Sequence, residues 1–146
     1  MHFQLSRAQA RSLLDGAFAR AREHAMEPLT VVVIDGGGHV VAAEREDGCA
    51  PLRFAVARGK AFAALGNGVA SGVVGERNAE RPAFLASVAA AAEGHFVPVA
   101  GGVPILDREG QVIGAAGASG ASSAEDETAV IAGIEAAGLG WGREPD

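Results

Sequence analysis

Arg53 and Lys60 stand seven residues apart with Val56 between them, a spacing that puts all three on one face of a helix. Two cations on one face can hold a carboxylate, arginine bidentately and lysine as a point charge. A solvated helix face accounts for the same pattern. Asp126 and Glu127 lie in the opening turn of a helix that starts at Ser122 or Ser123. Carboxylates there favour the positive end of the helix dipole, which is a sufficient reason for both. If they do chemistry, they move protons, together with His95. The histidines His2, His24, His39 and His95 show no HExxH motif and no paired metal spacing. Of these, His24, His39 and His95 are the candidates to bind a metal singly, and Cys49, after Asp47-Gly48, is the fourth.

Glycine gives a further signal. Gly114, Gly117 and Gly120 fall three apart in one apolar run, and Gly101-Gly102 opens the preceding one. Glycine weakens a strand, so its repeated use implies that something approaches the backbone closely, either a flat ligand or a neighbouring helix or subunit. The spacing lacks the Gly-Lys-Ser/Thr of a phosphate loop and the βαβ setting of a dinucleotide fingerprint. No Gly-x-Ser-x-Gly supports a serine hydrolase. The expected site lies between the helix of Arg53 and Lys60, the Gly101-Gly102 turn and the strand end from Gly117 to Gly120. Glycine amides and the helix start after Ser122 would add to its preference for an anion, and a second subunit could complete it.

The elements that must position these residues read clearly. Ser6 and Gln9 have the capping-box spacing, and Ala10, Leu13, Leu14, Ala17 and Ala21 recur at helical intervals until Pro28. Leu29–Ile34 is an apolar, β-branched strand, Asp35–His39 a glycine-rich turn, and Val40–Arg45 the returning strand. Arg53–Leu65 is a helix with Gly66 as its cap, Gly68–Asn78 a loop, and Pro82–Glu93 another helix. A second hairpin runs from 97 to 120 around Asp107–Gly110, and a last helix ends at Gly138. Two hairpins and four helices in the order α-β-β-α-α-β-β-α imply an α+β fold with an antiparallel sheet.

The 146 residues fit one domain, residues 1–146, without a linker or internal repeat. A single cysteine forbids an internal disulfide. The net charge of −6 and the scattered basic residues argue against a nucleic-acid partner. No run approaches the roughly 20 apolar residues of a membrane span, and the first residues lack a signal-peptide pattern. The expectation is a cytoplasmic protein, unless an export signal precedes this sequence. Alanine and glycine dominate the apolar content, which suits thin layers and close subunit contacts.

Several blocks resemble the GlcG/HbpS family, which is also found at the C-terminal end of PduO-type proteins. They are Val33-Ile-Asp-Gly-Gly-Gly-His-Val-Val-Ala-Ala-Glu-Arg45, Ala57-Arg-Gly-Lys-Ala61, Gly101-Gly-Val-Pro-Ile105, Val112-Ile-Gly-Ala-Ala-Gly-Ala-Ser-Gly120 and Glu125-Asp-Glu127. They occur in the family's order over nearly the whole chain. Glu125 stands where the family usually has glutamine, and Phe96–Ala100 departs from its pattern. The resemblance implies a profilin-like or PAS-like five-stranded antiparallel sheet flanked by helices, and a homo-oligomer of two to eight copies. It also implies binding of haem or another flat or carboxylated small molecule. A cofactor-independent lyase, isomerase or hydrolase acting on a small carboxylated substrate, and an accessory subunit without chemistry, remain as alternatives.

Overall fold

The computed structural model describes residues 1 and 3–145; His2 lies outside them. Helix α1 (Arg7–Glu23) begins with the expected reciprocal cap. Ser6 Oγ accepts from the Gln9 amide at 3.1 Å, and Gln9 Oε1 accepts from the Ser6 amide at 2.9 Å. Its apolar stripe is buried throughout. Strands β1 (Thr30–Asp35) and β2 (Val40–Arg45) form an antiparallel hairpin. Asp35 Oδ1 accepts from the amides of Gly37 and His39 and so tightens the turn. At Gly38 a φ of 82° puts the backbone where glycine alone is unstrained.

Helix α2 (Leu52–Asn67) runs two residues further than expected and is capped by Gly68, with φ 70°, in place of Gly66. The stretch expected to be a loop contains a short helix, α3 (Ser71–Arg77). Seven residues have little intrinsic helicity, so packing of Val73 and Val74 against Ala63 and Phe96 holds it. Helix α4 (Pro82–Ala91) starts on its proline, as expected. Strand β3 (Gly102–Leu106) is shorter than anticipated. Residues 97–101 leave the sheet and cross α2, with the Val97 amide donating to the Gly59 carbonyl at 3.1 Å. Strand β4 (Val112–Ser119) completes the second hairpin, and α5 (Ser123–Ala136) is capped by Ser122 through a capping box with Glu125. A two-residue strand, β5 (Gly140–Trp141), pairs with β3; it supplies the fifth strand that the family resemblance implied and the residue pattern did not place.

The sheet order is β2-β1-β4-β3-β5, antiparallel throughout. Alternation along β1 divides the core. Val31 and Val33 face α1 and α5 with Leu13, Leu14, Val103 and Ile134, while Val32 and Ile34 face α2 with Ala57, Ala61 and Ala64. Strand β2 is an edge and largely exposed, because α2 lies over β1, β4 and β3 instead.

Candidate functional site

The two sides of α2 offer different environments. On the sheet side, the Lys60 ammonium is enclosed, with 3% of the residue exposed. It donates to Asp126 Oδ2 at 3.0 Å and to the Ala118 carbonyl at 3.1 Å. Asp126 Oδ1 accepts from the Ala121 amide at 3.0 Å. One ion pair thus ties α2 to the end of β4 and the start of α5. Burial pushes the Asp126 carboxyl above the usual carboxylate value of 3.8. Lys60, the Ala121 N–H and the charge of Arg53 all pull the other way, without prevailing. The solvated-face account therefore fits Arg53, which is exposed, and not Lys60.

The glycines explain how the helix comes so close. A Cβ at Gly117 would fall on the Ala57 carbonyl oxygen, and one at Gly102 on the carbonyl of Lys60. At Gly101 it would lie 2.7 Å from Lys60 Cδ. The close neighbour of Gly101, Gly102 and Gly117 is α2; Gly120 approaches the Pro28 carbonyl instead. Nor are the Gly101-Gly102 amides open to solvent. Both residues are buried, and the Gly102 amide donates to Ser71 Oγ at 2.8 Å. The expected site residues Arg53, Lys60, Gly101, Gly102 and Gly117 do converge, but around a filled interior.

The outer side of α2 is open. Phe62 and Gly66 on α2, Val88, Ala91 and Ala92 on and after α4, and Phe96 line an apolar groove of about 310 Å³. Helix α4 buries no residue fully, and Ser87 is its one polar side chain. A helix apolar all round is normally buried, so that ten-residue composition was the signal that could have marked this surface. Phe84, on the same helix as Val88, is also exposed.

His95 is half-buried and precedes Phe96 in the chain, but does not itself line the groove. The other metal candidates lie elsewhere. His24 caps α1 and is exposed. His39 Nδ1 is 3.2 Å from Asp35 Oδ1, and its ring meets Phe3 edge-on. Cys49 is buried, its Sγ 3.4 Å from Thr30 Oγ1. Among the described residues no three His, Cys, Asp or Glu side chains come together as a metal cage. Glu127 is separated in role from Asp126: its Oε1 accepts from Arg143 Nε at 3.1 Å, and its Oε2 is buried without a partner.

An antiparallel sheet with two helices on one face, one closely docked on the other, and an apolar groove on the outer side of that helix define an α+β domain. The chain belongs to the HbpS-like family, described as haem-degrading proteins, whose pattern it matches over residues 5–135. It is 36% identical to the protein GlcG of Escherichia coli K12 over 92 residues, 62% of this chain and 63% of that one. The match thus spans less than two-thirds of the relative's length. The fold is similar to that of PduOC, solved as a complex with haem, with a TM-score of 0.81 and 25% identity, covering 93% of this chain and 96% of that one. A double mutant of Streptomyces reticuli HbpS has the same fold at a TM-score of 0.79 and 24% identity, covering 92% and 88%. Among the described residues no helix is long and apolar enough to cross a membrane.

Proposed function

We propose that this protein binds haem, or a similarly flat and largely apolar molecule, in the groove between α2 and α4, and that it works as a homo-oligomer. The groove itself carries the reading: it is an apolar recess, and one of its lining residues, Phe96, directly follows a histidine in the chain. Its residues fit the group. Phe62, Val88 and Phe96 would lie against one face of a porphyrin, and Gly66 leaves room for the ring plane. A volume of about 310 Å³ is at the small end for ligand sites, so one face of the ring would stay outside this subunit. A second copy covering that face could bury the exposed Phe84 of α4 as well.

Haem supplies iron with open coordination positions. Of the four candidate donors His95 is the one next in sequence to a groove residue, and its imidazole would be the group to hold the iron. The relative solved with haem and the family's description support the same ligand class. Titration with haemin should give a saturable Soret band, and His95→Ala should shift or abolish it without changing the melting temperature by more than about 2–4 °C. A band unchanged in His95→Ala would remove His95 from the ligand set. Persistence or decay of that band under oxidant distinguishes a haem carrier from a haem-degrading enzyme.

A further inference from the structure

We propose that the segment Gly140–Pro145 is a strap, latched by Arg143, that holds the α3–α4 wall of the groove against the body of the protein and sets how fast a ligand enters. This rests on the groove being the ligand site.

The α4 side of the wall is weakly built. Helix α3 has seven residues, and α4 buries none fully. Helix α3 packs on α2, while α4 rests through Leu85 and Val88 on the small cluster formed by Ala63, Val73, Val74 and Phe96. Val88 belongs to this cluster and also lines the groove, so movement of the wall changes the groove.

The strap is what joins the wall to α5. Its Arg143 carbonyl accepts the Ala70 amide, at the start of α3, at 2.7 Å. Arg143 Nε meets Glu127 on α5 at 3.1 Å, and its Nη2 reaches Glu76 on α3 at 3.6 Å. Glu144 pairs with Arg77, also on α3, at 2.7 Å. One arginine therefore bridges a carboxylate on the fixed helix and another on the wall, while the next residue holds the wall a second time. The far end of the strap is anchored in the sheet by the pairing of Trp141 with Ile105.

These contacts are of the releasable kind. Arg77, Glu144 and Glu76 are more than half exposed, and exposed ion pairs are weak and screened by salt. Glu127 is the exception: 15% of its side chain is exposed, and its Oε2 has no partner. In the latched state this carboxylate is only half satisfied, an arrangement that favours release. Lifting the strap would free its oxygens to water.

The test combines amide hydrogen exchange with the kinetics of haemin binding, on the wild type, Arg143→Ala and Arg143→Lys. The latch predicts that the Ala70 amide exchanges about three- to tenfold faster in Arg143→Ala, with Arg143→Lys between the two and the Val33 amide unchanged. About 1 M salt should speed Ala70 more in the wild type than in Arg143→Ala, where the Arg77–Glu144 pair alone is left to screen. Haemin association and dissociation should accelerate by the same factor, leaving the dissociation constant unchanged, because a gate alters rates only. An Ala70 amide that exchanges equally slowly in all three proteins would overturn the latch. Faster Ala70 exchange with unaltered haemin kinetics would overturn the gating. Haemin binding that survives Ala91→Trp, which fills the groove, would overturn the groove as the site and leave the latch to stand on the exchange data.

Discussion

The sheet side and the outer side of α2 have opposite chemistry. Beneath the helix lie Lys60, Asp126 and the glycines, the residues whose types suggest a reactive site, and there each charge is paired and the backbone fills the space. Above it lie phenylalanine, valine and alanine, which suggest only a core, and there the surface is open. A charged pair can be buried only when its partners enclose it, so its presence under α2 marks a closed joint. An apolar surface left open is unfavourable unless something else covers it, which is why the proposed function puts the ligand there.

The largest expected effect separates the two sides at the joint. Lys60→Ala leaves the Asp126 carboxylate buried without its cation and should destabilise the fold by about 3–5 kcal/mol, measured by urea denaturation. If it instead left stability unchanged and abolished binding of a carboxylated ligand, the joint would be the site and the contrast would fail. On the outer side, Val88→Ala removes apolar contact from a half-buried position. It should cost about 1 kcal/mol or less of stability, and weaken haemin binding several-fold in a Soret titration.

The smallest effect is in pH. Asp126 has a folded-state pKa above its unfolded value of 3.8, so the native state holds that proton more tightly. Its contribution to stability is therefore fully present below the unfolded value and is lost as pH rises through the folded one. The stability difference between wild type and Asp126→Asn should shrink as pH is raised from about 3 towards neutrality. A difference that grew over that range would show that Lys60 and the Ala121 amide outweigh burial.

Much of the architecture was legible in the chain. Both hairpins, the two capping boxes and the stripe of α1 follow from local rules, in which Ser6 needs Gln9 and Ser122 needs Glu125. Helix α3 and strand β5 were not legible. Seven and two residues carry too little local preference, and each exists because a neighbour, Phe96 or β3, is already in place.

The site divides in the same way. By itself the sequence determined that Arg53, Lys60 and Asp126 are charged, that Gly101, Gly102 and Gly117 allow close approach, and that α4 lacks a polar face. It could not determine that Lys60 and Asp126, 66 residues apart, meet in one buried pair, because that requires three elements to dock at once. It could not show that α2 occupies the glycine face and that the opening lies on the other side of the helix. Tertiary structure decided both points. Close packing leaves room for one neighbour at each surface, and the small residues of α2 and β4 gave the sheet side to the helix itself.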